Sequence, residues 1–234
     1  LKTLAQAVIR DFLSMVFPRT CHGCKEVLAR GEENICTACL REMPRATLHL
    51  EPENLFYLKL RARLPIQEVA AFLSFRKSTA VQHILHALKY KNKPELGAQL
   101  GKAFGCELQR WRYQENYDLI IPVPLHKERQ RRRGYNQSEW FAKGLAESLN
   151  LEVSSEAVTR IRATMSQTRK SVFGRWQNVK DVFHVVQPEK IRGKRILLVD
   201  DVITSGATME ACGQKLLDAG CTSLSFVTIA AATE

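Results

Sequence analysis

No apolar run in the 234 residues approaches the about 18 to 20 needed to cross a bilayer. The first stretch, LKTLAQAVIRDFLSMVFP, mixes charges into its apolar positions and carries no small-residue cleavage site. Neither a membrane span nor a secretory signal is therefore expected, and a cytoplasmic location is the default. No G-x-x-x-x-G-K-[ST] sequence occurs, which excludes a Walker-type nucleotide loop. Internal repeats and low-complexity tracts are also missing. Acidic residues are in deficit: 24 Asp and Glu face 35 Lys and Arg, leaving a formal charge of +11. Such an excess concentrates anionic ligands near the protein, without choosing between a nucleotide and a nucleic acid. An even disulfide framework is missing as well, since seven cysteines form an odd set and four of them fall into two Cys-x-x-Cys pairs. That usage suits metal binding in a reducing compartment.

What is present is the composition of a soluble globular protein, 45% hydrophobic and 25% charged, long enough for one core plus a small satellite unit. Residues 2–16 read as an amphipathic helix with Leu4, Val8, Phe12 and Met15 on one stripe, packed on its own protein or docked to a membrane or partner. Val69 to Phe75 reads as a strand, and 79–90 and 95–112 as helices. From Tyr117 the chain alternates: strand 117–123, helix 137–149, short strands at 157–161 and 181–186, strand Arg195 to Val199, helix 207–218 ending at Gly220, and an apolar run from Leu224 to Ala231. The ILLV core of the 195–199 strand is apolar on both faces, as a central parallel strand requires. The expected class is a doubly wound α/β fold, whose ligand site lies beyond the carboxyl ends of strands.

Directly after ILLV come Asp200 and Asp201, then Thr204, Ser205, Gly206, Ala207 and Thr208 opening the next helix. The amino end of a helix offers unpaired N–H groups and partial positive charge to a phosphate. Gly206 lets the backbone approach closely, and the three hydroxyls add donors. The two carboxylates would repel that phosphate unless they engage something else; vicinal ribose hydroxyls, or Mg²⁺ directly or through water, suit acceptor-only groups. A 5-phosphorylated ribose meets both requirements. Strand alternation means the two acids should not act alike, and both approach the sugar because the strand is ending there.

A second candidate follows strand 117–123. The loop after Pro122-Val-Pro124 carries His126, Lys127, Arg129, Arg131, Arg132 and Arg133 before Gly134, Asn136 and Gln137. Three readings are open: a diphosphate site, a nucleic-acid contact, or a solvated basic loop. Tyr135 and Trp140 are too few to argue a base-stacking platform. Residues 162–178, with Arg162, Gln167, Arg169, Lys170, Arg175 and Asn178, show little apolar periodicity and read as a loop that closes over the site or as an ordinary surface excursion. Lys89 either faces the same anion or complements its helix dipole.

Cys21-x-x-Cys24 and Cys36-x-x-Cys39, eleven residues apart, can wrap four thiolates around one tetrahedral Zn²⁺. An iron site and a redox dithiol are the alternatives. A closed four-sulfur site leaves no position for substrate, so its expected role is structural or interactive. His22 is expected to stay outside it. Cys106, Cys212 and Cys221 read as small core residues.

VDDVITSGAT resembles the 5-phosphoribosyl 1-diphosphate (PRPP) signature of type I phosphoribosyltransferases. Residues 118–146, DLIIPVPLHKERQRRRGYNQSEWFAKGLA, and 164–183, TMSQTRKSVFGRWQNVKDVF, are similar to the ComF family, called ComFC or GntX-like, which also has an amino-terminal four-cysteine unit. The resemblance implies a type I phosphoribosyltransferase fold over 61–234 behind a zinc-ribbon-like unit at 1–60. It implies PRPP bound with Mg²⁺, Asp200, Asp201 and Arg133 at the reacting centre, and a diphosphate loop formed by Arg133, Asn136 and Arg129. Transfer to an acceptor that the sequence does not identify follows from it, as does a link to competence, DNA-uptake proteins and single-stranded DNA. A PRPP sensor without turnover is the alternative.

Overall fold

The computed structural model describes residues 18–76, 79–161 and 182–232. The expected amphipathic helix at 2–16 and the stretch 162–178 lie outside these residues. In chain order the helices are α1 (Thr37–Glu42), α2 (Leu55–Arg61), α3 (Ala80–Tyr90), α4 (Pro94–Gln109), α5 (Tyr113–Asn116), α6 (Lys127–Arg133), α7 (Gln137–Leu149) and α8 (Ala207–Asp218). The strands are β1 (Val69–Phe75), β2 (Leu119–Pro122), β3 (Glu152–Val153), β4 (Val158–Arg160), β5 (Phe183–Val185), β6 (Arg195–Ile203) and β7 (Ser223–Ala232). Five strands form one parallel sheet in the order β1-β7-β6-β2-β3, while β4 and β5 pair as a separate antiparallel ribbon.

The period-two logic of ILLV holds. Leu197 and Val199 enter the core cluster that contains Leu88 of α3, Leu100 of α4 and Phe141 of α7. Ile196 and Leu198 face the opposite cluster with Leu60 of α2 and Leu216 of α8. Helices thus cover both faces, as the doubly wound expectation required. Residues from both sides of position 60 occur in each cluster: Cys21, Ile35 and Met43 pack with α3 and α4, and Phe56 with α8.

Helices α4 and α7 touch backbone to backbone. A Cβ on Gly101 would run into the carbonyl oxygen of Phe141, and one on Gly144 into that of Ala98. Only glycine permits that approach, and it seats α7, which lines the crevice described below. The chain leaves β2 for β3 on one side and returns to β6 on the other. This reversal opens a crevice at the carboxyl ends of β2 and β6, where doubly wound sheets bind ligands.

Besides shifts of one to three residues at element ends, two differences from expectation bear on the site. The strand after Lys194 does not end at Val199 but runs to Ile203, because β7 continues to pair with it through Ile203↔Ala231 after β2 has stopped at Pro122↔Val199. The basic segment is not a loop but the helix α6. Its residues are mostly good helix formers, His126 caps its start by accepting from Glu128 N at 3.4 Å, and Gly134 at φ 81° terminates it with its N–H on Gln130 O.

Candidate functional site

Since β6 outruns β2, Asp200 and Asp201 stand on a strand whose one edge has lost its neighbour. Asp200 Oδ1 accepts from Ser138 Oγ at 2.9 Å and from the Asp201 N–H at 2.8 Å. Ser138 is buried in the first turn of α7. Asp201 Oδ2 pairs with Lys89 Nζ at 2.8 Å. The two acids therefore face different partners, consistent with unequal parts. Desolvation of the half-buried Asp200, and then the charge of Asp201 beside it, push its pKa from 3.8 up to about 7 against the pull of the Asp201 N–H, Ser138 and Lys89. Lys89 thus serves neither as a plain dipole partner nor as a free cation; it is committed to Asp201.

Past Ile203 the chain turns through Thr204 and Ser205, both exposed, into Gly206, which is buried at φ 77°. No side chain caps α8 at Gly206, and Ser205 Oγ reaches Ala207 N only at 3.5 Å. Ala207 is exposed and Thr208 half-exposed, so the first N–H groups of α8 open toward the same rim as the hydroxyls. Leu60 of α2 packs where a Gly206 Cβ would lie, 2.8 Å from its position, and Arg63 pairs with Glu210 of α8 at 2.8 Å. Residues 55–63 therefore lean on the start of α8. Asn54, whose side chain accepts from Tyr57 N, marks the start of this helix and is a signal legible in the sequence.

Across the crevice, Asn136 is buried and its amide is spent: Oδ1 caps α7 through Ser138 N at 3.1 Å and Nδ2 donates to Val123 O at 3.0 Å. It shapes the turn rather than projecting from it. Arg133 is half-buried, donates to Gln137 Oε1 at 2.9 Å, and keeps a buried Nε without a hydrogen bond. Arg131 and Arg132 are exposed, while Arg129 is half-buried. Arg160, at the end of β4, is a further cation: it lies within electrostatic reach of Arg129 and Asp200, and burial lowers its pKa. The available signal was an arginine closing a strand directly before a basic stretch.

The described residues also bring an aromatic pair to this rim. Tyr90, 60% exposed at the end of α3, has the Arg133 guanidinium 5.7 Å from its ring centroid and the His86 ring at 4.9 Å. The hydroxyl of Tyr135 donates to Leu88 O, which ties this end of α3 to the turn after α6.

The four cysteines form one cluster, with all four sulfurs within 4.8 Å of one another and Cys24 Sγ 3.8 Å from Cys36 Sγ. Zn–S bonds of about 2.3 Å set tetrahedral sulfur edges at about 3.8 Å. Cys21 Sγ accepts from the N–H groups of Gly23 and Cys36, both at 3.3 Å, and Cys36 Sγ accepts from Cys39 N at 3.3 Å. Burial raises the Cys21 thiol, yet the backbone N–H groups outweigh it and bring it down to about 7, toward the thiolate that binds metals. The donor set fits a tetrahedral metal ion, and all seven cysteines are free. Among the described residues no helix is long and apolar enough to cross a membrane.

Residues 136–234 match the family model described as phosphoribosyl transferase domain. Over 221 residues the chain is 30% identical to the DNA utilization protein YhgH of Shigella flexneri, spanning 88% of this chain and 94% of that one. Competence protein F of Haemophilus influenzae is 27% identical over 213 residues, 86% of this chain and 91% of its own. Competence protein ComFC of Bacillus subtilis is 22% identical over 212 residues, covering 89% and 82%.

Proposed function

Because the chain belongs to the ComF family, with the DNA utilization protein YhgH and competence protein F, and carries its phosphoribosyltransferase fold, we propose that it binds PRPP at Asp200 to Thr208 and transfers the phosphoribosyl group to an acceptor. The observation that carries this reading is the run of β6 past β2, which delivers two carboxylates immediately before the uncapped start of α8. The 5-phosphate takes the N–H groups and hydroxyls of Thr204 to Thr208, and the ribose diol takes Asp200 and Asp201. The diphosphate lies toward Arg133 and Arg129, with Arg160 behind them. Asn136 holds the diphosphate turn in shape. Catalysis of this kind rests on positioning and on neutralising the leaving group, Mg²⁺ arriving with the diphosphate. The cysteine cluster holds one structural Zn²⁺. Two Cys-x-x-Cys pairs gathered on one metal site suit a reducing compartment and support action in the cytoplasm.

Isothermal titration with PRPP and Mg²⁺, parent against the Asp200→Ala, Asp201→Ala double variant, tests the central claim: the parent binds and the variant does not. Equal isotherms would sink it. Diphosphate release with candidate bases and amines then separates a transferase from a PRPP sensor without turnover.

A second reading, binding of single-stranded DNA in competence or DNA uptake, is favoured by the exposed Tyr90 ring beside Arg133, next to Arg131 and Arg132. Bases stack on such rings while arginines meet phosphates. The two readings use adjoining surfaces and are compatible.

A further inference from the structure

Each carboxylate of the acidic pair already has one oxygen engaged, Asp200 Oδ1 by two donors and Asp201 Oδ2 by an ammonium, which weighs against a directly bound divalent metal. Mg²⁺ asks for near-octahedral oxygen ligands at about 2.0–2.1 Å and keeps several waters. Asp201 Oδ2 already holds the Lys89 ammonium at 2.8 Å, and Asp200 Oδ1 already accepts from Ser138 Oγ at 2.9 Å and from the Asp201 N–H at 2.8 Å. An ion seated on Asp201 would lie against a cation.

That cation is built in. Lys89 lies in the last turn of α3, whose residues Ala87 and Leu88 are buried in the core, and the Tyr135 hydroxyl donates to Leu88 O, fixing this turn against the segment that follows α6. Both partners are sheltered, with side chains 24% and 18% exposed, so this is not a solvated surface pair of negligible worth. Lys89 and Asp201 are more than a hundred residues apart in sequence, so the pair is made by the tertiary fold.

We propose that Lys89 is the resident counter-ion of the acidic pair, a positioning residue that holds Asp201 aimed at the ribose diol, so that the phosphoribosyl moiety is bound without metal at these carboxylates. The proposal rests on the phosphoribosyl reading of Asp200 to Thr208. It assigns to a side chain the neutralising work that a divalent ion would otherwise do there, and it leaves any Mg²⁺ to the diphosphate.

Ribose 5-phosphate is the discriminating probe, because it carries the diol and the 5-phosphate but no diphosphate to bring its own metal. Calorimetry should give the parent the same affinity within about twofold in EDTA and in millimolar Mg²⁺. Lys89→Met should bind about tenfold or more weakly in EDTA, since it strands a sheltered carboxylate, and Lys89→Arg should recover most of the loss. As a readout apart from sugar binding, electron paramagnetic resonance of added Mn²⁺ should detect no Asp201-dependent ion on the parent. Lys89→Met should acquire one, and the added change Asp201→Asn should remove it. A parent that binds ribose 5-phosphate only with Mg²⁺, a Lys89→Met protein that binds it like the parent in EDTA, or Asp201-dependent Mn²⁺ on the parent would each overturn the proposal while leaving the phosphoribosyl site intact. A parent that binds ribose 5-phosphate under neither condition would bring down the site reading, and the role of Lys89 with it.

Discussion

The hydroxyl of Ser138 donates to Asp200 Oδ1 at 2.9 Å, joining the first turn of α7 to the acidic end of β6 across the crevice. The contact falls on a carboxylate that burial and Asp201 already burden.

The burden has a sign. An acid whose pKa rises from 3.8 to about 7 on folding takes up a proton between those values, so stability falls as pH rises through that window, and the penalty is complete above it. Asp200→Asn keeps both acceptor contacts and removes the charge. It should therefore unfold at a higher temperature than the parent at about pH 8, by an effect on the order of 1 kcal/mol or more, with the gap closing toward pH 4. Thermal melts across that range check it; a gap that widens on acidification would show that Asp200 is stabilised as the anion.

The cysteine cluster makes a second case. Cys21 is buried within the core cluster that also holds α3 and α4, and Ile35 lies beside it. Metal loss should accordingly loosen the main body rather than release an independent module. Elemental analysis should find about one zinc per chain, lost in Cys36→Ser, and the stripped protein should melt lower. Far less than one zinc or iron per chain would remove the metal site.

Gly101 carries a third. A methyl group there meets the Phe141 carbonyl, which is backbone and cannot swing aside, whereas at Gly97 it meets the Trp140 Cβ at 3.1 Å. Gly101→Ala should cost about 3 kcal/mol in denaturant unfolding and Gly97→Ala clearly less. A gain at both sites, which the higher helix propensity of alanine alone would give, would mean that the contact between α4 and α7 does not set the cost.

Local signals were legible where a segment does its work with its own neighbours. The ILLV strand, the acids and the small residues before α8 could be read in order, and so could the cysteine spacing, because each is a matter of a few consecutive residues. The end of β6 could not, since only its pairing with β7 carries it to Ile203. Neither could Lys89 on Asp201 or Tyr90 under Arg133, which are tertiary juxtapositions with no sequence period behind them. Asn136 illustrates a different limit: a polar residue in a turn reads equally as a ligand contact or a helix cap, and only its two hydrogen bonds decide that here it caps.

Tyr90 decides between a charged surface and a reading surface for single strands. Charge alone, through the exposed Arg131 and Arg132, would bind any polyanion with an affinity that falls steeply with salt. A ring that is 60% exposed beside His86 and Arg133 would add a salt-insensitive stacking term worth about 1–3 kcal/mol per base. Tyr90→Ala should therefore weaken binding of single-stranded DNA while leaving the slope of affinity against salt unchanged. Arg131→Glu with Arg132→Glu should flatten that slope. Duplex DNA, whose bases are stacked on one another, should be indifferent to Tyr90. Fluorescence anisotropy with single- and double-stranded oligonucleotides over a salt series measures all three, and a Tyr90→Ala protein that loses affinity for both forms equally would assign the ring to holding Arg133 rather than to the bases.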